Sequence, residues 1–372
     1  MRSLPSHTPF ATHIFPRPFL AYFTAAMFRV SALSPGAVLR SVGSSAKRNS
    51  TITKIIDNHA VGRNPMFQVR RGLSAPSPNS ISIQEESAAI AGSYFDDPMN
   101  VRYHVQVWGE GIHIGRYDLL KGEDAKLEGV ARVKRATSLT REVVINKLFP
   151  EHLGPSDGLT VLEMGSGFGT LARDVAQKKR CKVVCIEVSG GFNAINAARS
   201  VEAGVAGNII IPGERSIFDT GMPTASMDRL MSTDCFAHAH GDTDSIMKEA
   251  ARVLKRGSLM VFTTLMQPDT ADASALAKVH QEIGITRLVS PEAFKESGKE
   301  YGMELVEYED QSPNLIIHYG NLVDRINSVR GHLEDVDDSM LDARSDRCNL
   351  FVNSGQRGLL IWGTTVFRKD VD

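Results

Sequence analysis

The chain has 372 residues, 42 Lys and Arg against 43 Asp and Glu, a formal net charge of −1 at pH 7, and 42% hydrophobic residues. This near-balance argues against a general nucleic-acid binder. No apolar run reaches the ~20 residues of a membrane span; Phe19 to Phe28 is too short and lies between Arg17 and Arg29. The length suits one large domain or two ordinary ones. Cys181, Cys185, Cys235 and Cys348 lack C-x-x-C spacing and read as reduced thiols, with neither a disulfide framework nor a zinc site.

Residues 1–80 read as an address. Arg2, Arg17, Arg29, Arg40, Lys47, Arg48, Lys54, Arg63, Arg70 and Arg71 stand against Asp57 alone, among many serines. That is the bias of an organelle transit peptide. Val69 to Ala75, VRRGLSA, is similar to a mitochondrial processing site. The expected destination is the mitochondrion, with the plastid as alternative.

Residues 81–158 are expected to form an N-terminal helical flap. Ile81 to Ala91 is a helical lead-in. Tyr94 to Asp118 then gathers Tyr94, Tyr103, Trp108 and Tyr117 with His104 and His113 around Gly109, Gly111 and Gly115. Aromatic walls attract positive charge through their ring faces. The plainer reading is a helix packing its aromatics on the core, which the dense glycines argue against. Ser138 to Leu148 has helical apolar spacing, and Pro150 to Gly158 is a loop.

The catalytic domain is expected over 159–372. Strands at 159–164, 182–187, 208–212 and 229–232 alternate with helices at 168–178, 190–203 and 243–254. Lys255 to Ser258 reads as a turn into a strand at 259–264. Such alternation predicts an α/β fold, a mostly parallel sheet with helices on both faces. Helices are expected over 272–283, 291–301 and 314–327, with strands over 304–308 and 358–369. His332 to Asp346 reads as an acidic linker or surface helix whose charges face solvent.

The chain is organised around VLEMGSGFGT, Val161 to Thr170. An apolar strand breaks into Gly165, Gly167 and Gly169 before a helix, the pattern of a nucleotide-type cofactor loop. About 22 residues on, CKVVCIEV carries Glu187 at the strand end, where a ribose hydroxyl pair is gripped. The loop is G-x-G-x-G, not G-x-G-x-x-G, and Glu163 could take an ammonium. Both details favour S-adenosylmethionine over a dinucleotide, with no metal. Ligands on such sheets sit beyond the carboxyl ends of the strands. Phe218 could stack on adenine while Asp219 accepts from its amino group; Asp219 reads equally as a turn acid. Ser232 lies at the same edge. In STDCFAHAHGD, Asp234 and His238 are spaced to orient an acceptor or take a proton, with His240 the weaker candidate.

Several stretches together resemble the small-molecule S-adenosylmethionine-dependent methyltransferases typified by sarcosine/dimethylglycine N-methyltransferase. They are Val107 to Asp118, Gly165 to Gly169, Ser232 to Ala239, Leu265 to Asp269, Ser312 to Val323 and Leu359 to Lys369. The resemblance implies a Rossmann-like class I methyltransferase with a seven-stranded sheet. It implies a Tyr–His pair acting on the acceptor, His238 matching the histidine and Tyr103 or His104 falling near the tyrosine. Candidate substrate contacts are His104, Trp108, Met266, Gln267, His318 and Tyr319. Arg116 or Gln267 could hold a substrate carboxylate. Glu187 departs from the usual Asp or Asn, and Cys235 from the usual small residue.

The family likeness implies an enzyme making a methylated onium osmolyte. S-methylation of 4-methylthio-2-hydroxybutanoate toward dimethylsulfoniopropionate is placed narrowly ahead, on the organelle-type leader. N-methylation of sarcosine or dimethylglycine to glycine betaine is the alternative. A non-catalytic mitochondrial assembly factor that binds S-adenosylmethionine is the reading from another class. Expected partners are a small-molecule carboxylate substrate, no nucleic acid and no membrane, in a monomer or homodimer.

Overall fold

A computed structural model describes Gln84 and residues 92–333 and 336–370. The leader over 1–80 and most of the lead-in over 81–91 lie outside the described residues. Seven strands form one sheet: β1 Thr160–Met164, β2 Lys182–Ile186, β3 Ile209–Ile210, β4 Met227–Thr233, β5 Leu254–Met266, β6 Met303–Asp310 and β7 Ile361–Lys369. Their order is β3-β2-β1-β4-β5-β7-β6. β1 to β5 run parallel, and β7 lies antiparallel between β5 and β6. The order reverses between β1 and β4, so the loops leaving them diverge and open a crevice at the carboxyl edge.

The central strands are apolar throughout because both faces are covered. Leu162, Met164, Val184, Ile186, Met260 and Phe262 enter one core. Their neighbours Val161, Val183, Cys185, Leu259 and Val261 enter the other, as the two-residue period of a strand requires. The helices are α1 Pro98–Tyr103, α2 Gly129–Leu148, α3 Thr170–Lys179, α4 Gly190–Glu202, α5 Thr243–Val253, α6 Ala277–Ile283, α7 Pro291–Glu300, α8 Ser312–Val329 and α9 Asp338–Gln356.

Two segments differ from the sequence reading. α2, placed with the flap, packs Val144, Ile145 and Leu148 onto the sheet's second core. Lys255 to Ser258 belong to β5; the pairing jumps from Met227–Leu254 to Arg229–Leu259, with Gly257 at φ +73° absorbing the irregularity. The acidic stretch over 332–346 does form the surface half of a helix, with Asp337, Asp338, Asp342 and Asp346 exposed and Leu341 turned inward; α9 then runs on to bury Cys348 and Phe351. In the aromatic segment, helix and glycines separate. Asp97 caps α1 by accepting from Met99 N. One π-helical turn, His104–Trp108, follows and ends at left-handed Gly109. Among the described residues, no helix is long and apolar enough to cross a membrane.

Candidate active site

The loop after β1 curls over the end of β2, with Gly165 N and Ser166 N both donating to Ile186 O. Gly165, Gly167 and Gly169 all have positive φ. A Cβ on Gly165 would overlap Cys235 Sγ, and one on Gly169 would overlap the Asn196 amide, whereas one on Gly167 meets nothing within 4 Å. Gly167 lines the crevice. Two glycines therefore permit close packing, and the middle one leaves room for a ligand.

Glu187, at the end of β2, accepts from Gly167 N (2.9 Å) and Ser189 N (3.0 Å). Burial raises its pKa against those bonds. Each oxygen keeps a second lone pair for a hydroxyl. Burial pushes Glu163 up to about 8, partly opposed by Arg173. Its Oε2 has no partner among the described residues. An unpartnered oxygen on a buried carboxyl group can accept from an ammonium, whose charge would also favour the ionised form, so the loop fits a donor that carries both a ribose and an ammonium group.

Asp234 and His238 lie on the opposite lip of the same crevice, with Phe95 and Phe218 among the other lining residues. Asp234 Oδ2 accepts from Ile114 N (2.6 Å), and Oδ1 from Trp362 Nε1 (2.7 Å) and Thr263 Oγ1 (3.0 Å). It thus joins the flap to β5 and β7 from a left-handed backbone at φ +54°. Burial raises its pKa to about 6 against these three donors. A carboxylate so occupied positions the flap and is poorly placed to receive a proton. His238 is held down to about 4 by burial and then by the charges of Arg347 and His240. It is a neutral imidazole at pH 7, able to donate at one nitrogen and accept at the other.

Beyond Phe95 the aromatic residues form a continuous wall. Phe95 meets His238 edge-on at 5.9 Å between ring centroids and lies 6.1 Å from His104. His104 meets Trp108 at 5.7 Å, Trp108 meets His318 at 4.9 Å, and His318 meets Tyr319 at 5.6 Å. The wall is docked on the cofactor edge by Asp96, whose Oδ1 accepts from Ser189 Oγ (2.6 Å) and Gly191 N (3.1 Å).

Residues 162–262 match the family model for a methyltransferase domain. Two sarcosine/dimethylglycine N-methyltransferases are similar along most of the chain. The Halorhodospira halochloris protein is 27% identical over 77% of this chain and 98% of its own length. The Aphanothece halophytica protein is 29% identical over 76% and 97%. A crystal structure from Galdieria sulphuraria, provisionally named as a sarcosine dimethylglycine methyltransferase, superposes with a TM-score of 0.65 at 25% identity, covering 73% of this chain and 98% of that one. The chain is an S-adenosylmethionine-dependent methyltransferase. Its fold is the class I arrangement expected from the sequence.

The methyltransferase crevice brings together Gly165, Gly167, Glu187, Phe218, Asp234 and His238. Glu163, buried in β1, and Gly169, which caps α3, are not among its lining residues. Other candidates sit elsewhere. Asp219 is exposed and accepts from Gly221 N in its own turn. Ser232 is buried and donates to Met164 O, tying β4 to β1. Met266 belongs to the core beside Phe262. Gln267 is half-buried, with its backbone N–H bonded to Val289 O. Tyr103 packs behind His104, 5.3 Å between centroids, away from the crevice; burial raises its pKa far above that of a free phenol. His104, Trp108, His318 and Tyr319 do assemble, as the wall. Arg116 is committed to Asp118 through two bonds of 2.8 and 2.7 Å and faces Glu309 at 3.5 Å. Sequence reading missed Phe95 and Asp96, although both adjoin Tyr94, and Ser216 and Ile217, which directly precede Phe218.

Proposed function

We propose that the enzyme N-methylates sarcosine and dimethylglycine, yielding glycine betaine. The observation that carries this reading is end-to-end similarity to the sarcosine/dimethylglycine N-methyltransferases, over 98% and 97% of their lengths. It moves the amine reading ahead of the thioether reading suggested by the leader.

S-adenosylmethionine supplies an electrophilic methyl on a sulfonium. Gly165 to Gly169 and Glu187 would hold its adenosine part, and Glu163 would accept from its ammonium. The remaining work is positioning and protonation. The acceptor nitrogen must present a lone pair, so its ammonium form has to lose a proton. Burial and the Arg347 charge, which keep His238 neutral, favour a neutral amine for the same reason. Neutral His238 can accept a hydrogen bond from a secondary amine and take its proton once the nitrogen is tertiary. A quaternary product has no proton to lose; it leaves as a fixed cation against the ring of Phe95. Asp234 keeps Ile114 and the flap against the crevice and so helps exclude water.

The test gives protein lacking residues 1–80 labelled S-adenosylmethionine with sarcosine, dimethylglycine or 4-methylthio-2-hydroxybutanoate, one at a time. Turnover of the two amines is expected. Turnover confined to the thioether acid would restore the sulfur reading and remove this one. We also propose import into the mitochondrion, or the plastid, on the basic bias of residues 1–80. Fusing those residues to a fluorescent protein tests this, and diffuse cytosolic signal refutes it.

A further inference from the structure

We propose that Arg347 receives the carboxylate of the amino-acid acceptor through its two terminal guanidinium nitrogens, with the methyl-accepting nitrogen beside His238. This rests on the amine reading above. Residues three and four apart on a helix share a face. On α9, Arg344 lies over the rings of Tyr94 (4.9 Å) and Tyr103 (5.5 Å). Cys348 is buried in the aromatic cluster. Phe351 meets Tyr319 edge-on at 4.8 Å. Arg347 stands three residues after Arg344 and four before Phe351, so it projects from the same side, toward the wall.

Its one ion pair among the described residues is through Nε, 3.4 Å from Glu282 Oε2 on α6. Glu282 takes the Nε edge and leaves the Nη1–Nη2 fork for an end-on carboxylate, the geometry at which Arg excels. Its charge reaches the two histidines that flank Phe95: after burial, Arg347 helps hold both His104 and His238 neutral. The wall also offers unused polar atoms. His104 Nδ1 and Nε2 are buried without partners among the described residues, whereas Trp108 bonds Tyr103. Such atoms are costly unless something bonds them, and a carboxylate beside Arg347 could accept from the single N–H of neutral His104.

Competing cations are otherwise placed. Arg116 is held by Asp118 and Glu309. Arg344 donates to Asn100 Oδ1 while covering two rings. Arg215 lines the crevice next to Glu214, which bridges to Glu187 on the ribose side.

The experiment compares wild type, Arg347→Met and Arg347→Lys on dimethylglycine and on 2-(dimethylamino)ethanol, the same tertiary amine without a carboxylate. S-adenosylhomocysteine affinity serves as the folding control. Arg347→Met should lower kcat/KM for dimethylglycine by about 100-fold or more, and lower that for the amino alcohol much less, since the alcohol loses only the charge that favours its neutral form and no carboxylate partner. Arg347→Lys keeps the charge without the fork and should fall between. A residue that merely supports the fold would depress both substrates alike. Equal losses on both, or no loss on either, overturn the proposal while leaving the amine reading intact. If Arg347→Met does not fold, the Lys variant alone decides, by the same ratio of the two substrates. A wild type inactive on dimethylglycine removes the amine reading and this inference with it.

Discussion

Alanine at each of the three loop glycines should separate packing from ligand contact. All three have positive φ, so each substitution pays roughly 1–2 kcal/mol for a left-handed L-residue. At Gly167 nothing else is added, because a Cβ there meets no atom within 4 Å. At Gly165 the new carbon strikes Cys235, which has Gly165 directly against its sulfur. At Gly169 it strikes Asn196, whose Oδ1 accepts from Arg173 Nη1 and Ser200 Oγ. Overpacking adds roughly 1–3 kcal/mol. At about 3 °C per kcal/mol for a domain of this size, Gly167→Ala should melt about 3–6 °C below wild type, and the other two about 6–15 °C below. Affinity for S-adenosylhomocysteine should rank the other way. Gly167→Ala fills the space the ligand needs and should lose about tenfold or more, ~1.4 kcal/mol. Gly165→Ala and Gly169→Ala, measured well below their melting points, should lose less. Thermal melts without ligand and titration calorimetry with it give both orders. A Gly167→Ala protein that binds normally, or whose apo stability falls as far as that of the other two, refutes the assignment.

His238→Ala should cut kcat for sarcosine by about 100-fold or more and for dimethylglycine by much less, because only the first product carries a proton to remove. Equal losses in steady-state kinetics would make His238 a positioning residue. Asp234→Ala leaves Ile114 N, Trp362 Nε1 and Thr263 Oγ1 without their acceptor. It should cost about 3 kcal/mol or more and raise hydrogen exchange over 109–118; unchanged exchange there would mean the flap is held by other contacts. Stability should also fall on acidification from pH 6 to 4.5. His113 (about 3), His318 (about 3), His238 (about 4) and His104 (lowered) stay neutral when folded but charge below about 6.5 when unfolded. Glu163 (about 8) and Asp234 (about 6) work in the opposite sense, since the folded protein protonates them first. Glu187, also raised, adds to the second set and His280, also lowered, to the first; the histidines outnumber the acids, so unfolding takes up protons on balance and stability falls as pH drops. Denaturant titrations at pH 6.0 and 5.0 test this, and a flat or rising stability would contradict it.

What could be read from the sequence was set by local chemistry. The strand–glycine loop–helix unit and the acid at the end of β2 announce themselves because turn geometry, apolar periodicity and ligand demand fall within a few consecutive residues. Asp234 and His238 were legible as residues of the site for the same reason. Their division of labour was not. Asp234 is occupied by donors from Ile114, Thr263 and Trp362, which lie 120, 29 and 128 positions away, and no spacing rule encodes that convergence. Ser232 and Met266 illustrate a subtler failure: both lie at strand ends near the edge where ligands bind, yet their side chains point into the sheet's packing, and alternation along a twisted strand decides which way each one faces. The acidic run over 332–346 faces solvent as its composition suggests, with Asp337, Asp338, Asp342 and Asp346 exposed, but composition alone does not show that the same helix turns Leu341 and Arg344 inward. Burial on a helix is a matter of phase, not of average polarity. A nineteen-residue helix with weak overall amphipathicity can therefore bring two arginines to an aromatic wall while its composition suggests a surface element. The guanidinium groups escape notice because in one dimension they look like the partners of neighbouring acids. In the fold, Arg344 is turned toward Tyr94 and Tyr103, and Arg347 reaches Glu282 on another helix.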